Sequence, residues 1–211
     1  MADAPDFETS AFINCPFDDA YEPILQAILF CLVRFGLKPG IATERSDSGE
    51  ARLEKIKELI LDSKYSIHDL CRCQSSGPGE HYRMNMPFEP GMDFGCRSFG
   101  GYPLDQKKIL VLEEQKYRYQ AAISDLAGND IEAHEGDYSK AMRKVRNWIT
   151  SLGGFELLGA SKILGEYDDF HKWYHDRQRA AGFSQEDIED YPTGELIDAM
   201  GEWMRLGCPR G

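Results

Sequence analysis

The sequence holds no apolar stretch long enough to cross a bilayer. Its longest, Ile24 to Val33, is interrupted by Gln26 and is about half of the roughly 20 residues that a spanning helix needs. The first residues, Met1-Ala2-Asp3-Ala4-Pro5-Asp6, contain neither a positive segment nor an apolar one, so no signal peptide is read there and a soluble, cytoplasmic protein is expected. Positive charge is scarce: 24 Lys and Arg stand against 36 Asp and Glu, a formal charge of −12. A general nucleic-acid binder or a protein docked on anionic lipid needs the opposite balance, because clustered Lys and Arg must neutralise the phosphates. A basic pocket on an acidic body stays compatible with that total.

Cysteine occurs six times, but only Cys71 and Cys73 are close, and no C-x-x-C or H-x-x-x-H completes a zinc set. Scattered reduced thiols and no metal are expected. Neither G-x-G-x-x-G nor G-x-x-x-x-G-K-[ST] is present, which argues against a standard dinucleotide fold and a P-loop. There is no G-x-S-x-G elbow. Asp93-Phe94-Gly95 has none of the companion motifs of a kinase.

What is present is enough for a folded body. At 211 residues, 42% apolar and 11% aromatic, the chain can bury a core in one domain, with room for an appendage. Short apolar runs at Ala11–Cys15, Leu37–Ala42, Tyr65–Leu70 and Lys108–Glu113 read as buried strands, with a fifth at Ile131–Ala133. Between them, Tyr21–Phe35, Ala51–Ser63, Asn85–Cys96, Tyr117–Leu126 and Tyr138–Leu152 carry helical spacing. Gly36 is placed to end the first helix, and Pro90 and Gly91 are expected in the first turn of the third. Gln74 to His81 reads as a Gly/Ser/Pro loop. Strict alternation predicts an α/β fold: a three-layer, doubly wound parallel sheet of about five strands, flavodoxin-like, over residues 8–152. After Gly153-Gly154, residues 153–211 read as helices, Lys162–Ala181 and Thr193–Leu206, the latter begun by a Thr193 cap. That tail is either a packed helical appendage or a partner-binding element.

In an open parallel sheet, ligands bind at the carboxyl ends of the strands. That rule selects Asn14, Cys15, Phe17 and Asp18; Glu44, Arg45, Ser46 and Asp47; His68, Asp69 and Arg72; Asn85 through Glu89; and Glu113 with Glu114. Glu89 has apolar neighbours in Met86 and Phe88, a setting that raises a carboxyl pKa or frees a nucleophile. Its plain alternative is a first-turn glutamate favoured by the helix dipole. Asp69 suits a ribose hydroxyl, or a turn. His68 alternates with Asp69 across the pleat, so only one of them faces a given side. Glu113 and Glu114 read as metal ligands or, by default, a solvated pair.

Phe12-Ile13-Asn14-Cys15-Pro16-Phe17-Asp18, then Asp69, then Phe88-Glu89-Pro90-Gly91, together resemble the TIR-like and nucleoside 2-deoxyribosyltransferase-like group of flavodoxin-type domains. The resemblance implies that Glu89 is the catalytic carboxylate acting at the anomeric carbon of a nucleoside or of NAD. It also implies that Asp69 lies near the sugar as the second catalytic residue. Phe12, Asn14, Cys15, Phe17 and Phe88 would then line the base and ribose pocket, with Arg45 and Asp47 on the loop after the second strand. NAD enters as a substrate and no cofactor is implied. The Asp-Gly-Thr that precedes the glutamate in the deoxyribosyltransferases is replaced by Tyr82-Arg83-Met84-Asn85-Met86, and the Trp-Cys of TIR domains is absent. Three readings follow: an NAD or nucleoside N-glycosidase in bacterial anti-phage defence, a nucleotide-sensing module that assembles with itself or a protein partner, and a deoxyribosyltransferase. An acidic chain must hold any anionic nucleotide with a few local arginines, for which Arg45, Arg72 and Arg83 are the candidates.

Overall fold

The computed structural model describes residues 6–42, 49–73, 83–118, 128, 130–190 and 192–209. Five parallel strands form one sheet: β1 (Ser10–Asn14), β2 (Lys38–Gly40), β3 (Tyr65–Asp69), β4 (Lys108–Glu113) and β5 (Ile131–Ala133). Their order is β2-β1-β3-β4-β5, so the chain steps outward from β1 to β2 and then returns past β1 to β3. Every residue of β1 and β3 is buried, as central strands covered on both faces require. The edges are short: β2 consists of Lys-Pro-Gly, whose proline cannot donate to a further strand, and β5 has three half-buried residues. Helices α1 (Glu22–Arg34) and α4 (Tyr138–Ser151) cover one face, and α2 (Arg52–Leu61) and α3 (Asn85–Phe99) the other. This is the three-layer, doubly wound fold that the alternation predicts.

Helix α1 buries Ile24, Leu25 and the unbroken run Ala27 to Leu32, which point in all directions around its axis. A helix apolar all round must be packed all round. One side lies on the sheet and α4. The other receives the tail helices α5 (Ala160–Ala180) and α7 (Thr193–Arg205), joined by the short α6 (Gln185–Glu189). Phe30 sits 5.2 Å from the Tyr167 ring, 5.6 Å from Phe170 and 5.8 Å from Trp203, centroid to centroid. Burying a side chain such as Phe170 contributes about 1.5–3 kcal/mol. The Trp203 indole keeps its polar end satisfied by donating to the Pro209 carbonyl at 3.0 Å. Arg34 pairs with Glu166 at 2.7 Å and ties the end of α1 to α5. The tail is therefore a packed helical appendage that shares the core of the sheet domain. No helix among the described residues is long and apolar enough to cross a membrane.

Two local expectations change. Pro90 is the sixth residue of α3 rather than part of its first turn. Thr193 is the first helical residue of α7, after Pro192, and its side chain caps nothing. The cap lies instead on α6, where Ser184 and Asp187 form a reciprocal capping box. The expected loop Gln74–His81 and most of the expected helix Tyr117–Leu126 lie outside the described residues.

Beneath α3 lies a fully buried charge network. Lys107 donates to the Ile60 carbonyl at 2.7 Å and to that of Ser63, and lies 3.2 Å from Asp93 Oδ1. Two carbonyls accept from the ammonium group, and the Asp93 carboxylate balances its charge. Asp93 Oδ2 is 2.9 Å from His68 Nε2, and all three side chains have no exposed surface. The network joins the end of α2, the middle of α3, β3 and the start of β4.

Candidate active site at the carboxyl ends of β1 and β3

The strand order reverses between β1 and β3, so two successive connections leave on opposite faces; the carboxyl ends at such a switch point are where an open parallel sheet places its ligand crevice. Asn14 and His68 are register partners there, with Asn14 Nδ2 3.4 Å from His68 Nδ1. The same amide donates to the Met86 carbonyl at 3.4 Å. That carbonyl is available for a specific reason. In a regular helix it would accept from the N–H of residue 90, but Pro90 has none. The proline thus releases an acceptor from α3, and a sheet residue takes it, docking the start of the helix on β1.

Glu89, the residue just before that proline, is buried at 3% exposure. It is the fifth residue of α3, past the first turn, so the helix-dipole alternative loses most of its force. Among the described residues no group donates a hydrogen bond to its carboxylate. Burial holds its pKa above the ordinary glutamate range, and the Arg52 charge only partly offsets this. Arg52 begins α2, and its guanidinium lies 5.8 Å from the ring centre of Phe17, which is 42% exposed. Burial, then the charges of Asp69 and Glu89, push the Cys15 thiol up, so it lines the crevice as a neutral group rather than as a thiolate nucleophile.

Asp69 points to the opposite face of the sheet from His68, as the pleat requires. Its Oδ2 accepts from the Tyr21 hydroxyl at 2.6 Å, and its Oδ1 from the Cys71 N–H at 2.8 Å. His134 Nε2 lies 3.0 Å from Oδ2, within reach of its proton although the ring is not aimed squarely at the oxygen. Burial raises the Asp69 pKa, but His134, Tyr21 and the Cys71 N–H outweigh it and hold the carboxyl below its ordinary value. Asp69, Cys71 and His134 bring potential metal-ligand atoms within 4.8 Å of one another. Their bonding is that of a hydrogen-bonded set, however. His134 Nδ1 accepts from the Gly136 N–H at 3.0 Å, which leaves the ring proton on Nε2, the atom that faces Asp69. Burial and Asp69 also push the Cys71 thiol up.

The remaining predicted residues divide. Phe12 is 1% exposed and packs with Ala42, Ile56 and Ile60, its ring edge-on to His68, so it forms the floor beneath the site. Phe88 is 55% exposed and stands at the rim. Arg45 and Asp47 lie outside the described residues. Arg72 pairs with Asp18 at 3.0 Å, spanning the loops after β3 and β1, and Arg83 is exposed. Glu113 is not half of a solvated pair: it has no exposed surface, and Arg118 reaches both it, at 3.5 Å, and Glu114, at 3.2 Å. Tyr21, His134 and Arg52 were not selected from the sequence. His134 follows directly on the end of β5, so the strand-end rule contains the signal that finds it. No protein-family model, curated protein or solved structure matches the chain.

Proposed function

We propose that the protein cleaves the N-glycosidic bond of a nucleotide, NAD or a nucleoside, with Glu89 as the catalytic carboxylate, in the anti-phage setting that the TIR-like resemblance implies. One observation carries the reading. A carboxylate sits at the switch point, 3% exposed and without a hydrogen-bond donor among the described residues, and burial holds its pKa up. Leaving-group departure places positive charge on the anomeric carbon and ring oxygen. A carboxylate held there stabilises that charge or bonds to the carbon, and water then completes hydrolysis. A pyridinium base leaves as a neutral molecule and needs no proton, so one carboxylate suffices for NAD. Phe17 supplies an aromatic face and Arg52 a cation for a phosphate. Asp69, engaged by Tyr21 and His134, acts as a positioning residue for the loop beneath the sugar.

The test is nicotinamide release from NAD by the purified chain, followed by chromatography beside Glu89→Gln. Turnover lost in a folded variant supports the reading. Turnover retained at the wild-type rate refutes it, and base exchange between two deoxynucleosides redirects it to transfer. A second reading, a nucleotide-sensing module that self-assembles, draws on the exposure of Met84 at 69% and Phe88 at 55% beside the crevice. It predicts nucleotide-dependent oligomers without turnover.

A further inference from the structure

A cavity of about 350 Å³ lies where the sheet domain meets the tail, away from Glu89. Its aromatic wall is built by Tyr138, at the start of α4, and by Tyr167, His171 and Tyr174, which recur on one face of α5. The rings are inclined rather than stacked. Tyr167 and His171 meet at 4.4 Å and 87°, and Tyr138 and Tyr167 at 5.9 Å and 48°. The face of an aromatic ring carries the negative potential that draws a cation.

The rest of the lining is acidic. Asp19, Glu22 and Glu189 border the cavity, and none of them has a salt-bridge partner among the described residues. Among the described residues no lysine or arginine lines it. Burial holds His171 down at about 4, with His175 acting in the same direction, so that ring brings no charge at neutral pH. Glu22 accepts from Gln26 at 2.9 Å and Glu189 from Gln185 at 2.6 Å, neutral donors that leave the negative charges in place. Three carboxylates without a cationic partner among the described residues, beside three tyrosines, make a space complementary to a cation with an apolar skin.

We propose that this cavity binds a small organic ammonium ion, its methyl or methylene groups against Tyr138, Tyr167 and Tyr174 and its charge balanced by Asp19, Glu22 and Glu189. A volume of this size admits a ligand of several heavy atoms. A hydrated metal ion would leave the aromatic wall unused. The site shares no residue with the Glu89 crevice, so it stands or falls independently of the activity proposed there.

The test is calorimetric titration of the full chain with choline and with tetramethylammonium, beside the carbon isostere of choline in which carbon replaces the quaternary nitrogen. At least one ammonium ion is expected to bind saturably, with the isostere at least about tenfold weaker. Tyr138→Ala removes a ring that is 40% exposed, and Glu189→Gln changes an exposed side chain, so both variants keep the core. Each should weaken binding by about fivefold or more, while Glu54→Gln on α2 leaves it unchanged. Absence of binding by both ions, equal binding of the isostere, or wild-type affinity in both variants overturns the proposal.

Discussion

Removing Asp93 tests the buried charge network most directly. Asp93→Leu leaves the Lys107 ammonium with its two carbonyl acceptors but no carboxylate, and leaves His68 Nε2 facing an apolar group. Breaking a fully buried pair from one side costs about 3–5 kcal/mol, because the surviving charge stays buried and uncompensated. In a chain of this size that corresponds to a fall in Tm of about 6–20 °C. Lys107→Met should cost a similar amount, since it strands Asp93 and also withdraws a donor from the last carbonyls of α2. The double variant removes both charges, so its loss should fall short of the sum of the two by about 1–3 kcal/mol. Urea titration of the four proteins measures all of these quantities. A loss below about 0.5 kcal/mol for Asp93→Leu, the level of an ordinary surface change, or strict additivity in the double variant, would refute the assignment of the network as a coupled unit.

Glu89→Gln should be at least as stable as the wild type at pH 7. A carboxyl whose pKa is raised on folding keeps its proton in the native state where the unfolded chain has lost it, so wild-type stability falls as pH rises above about 4.5. The advantage of the variant should close near pH 4, and thermal melts across that range check it. Tyr21→Phe deletes a 2.6 Å hydrogen bond to a buried carboxylate and should cost about 1.5–3 kcal/mol in urea. Pro90→Ala restores an N–H that competes with Asn14 for the Met86 carbonyl. Stability should hold or rise, while hydrogen exchange at the Asn14 side-chain amide quickens. Trp203→Ala should cost about 3–5 kcal/mol and shift a single unfolding transition of the whole chain. Separate melting of the tail would contradict the shared core.

The sheet was legible because each strand is a compact apolar run between helical patterns. Lys108–Glu113 matches β4 residue for residue, and Gly36, at φ +76°, ends α1 in the left-handed conformation that its position suggests. Glu89 was legible as a strand-end carboxylate, but its burial was not, since that depends on how far α3 extends before Pro90. Lys107 sits in the polar run Asp105-Gln106-Lys107-Lys108, where nothing local separates a buried lysine from a solvated one. Glu113 does carry a signal, because it shares strand parity with Ile109 and Val111. Tyr21, Asp69 and His134 are far apart in sequence and meet only through the crossovers, so local spacing cannot assemble them.

The buried run Ala27 to Leu32 of α1 sets the order in which the chain becomes safe during synthesis. Phe30 leaves the ribosome well before the ring of Trp203 that covers it is made. At about 5–20 residues per second the interval is roughly 10–35 s. Throughout that time the sheet side of α1 can find partners while its outer side stays bare. A chain stopped at Gly153 would keep that state permanently, its strands all present and one complete helix face left to whatever apolar surface it meets.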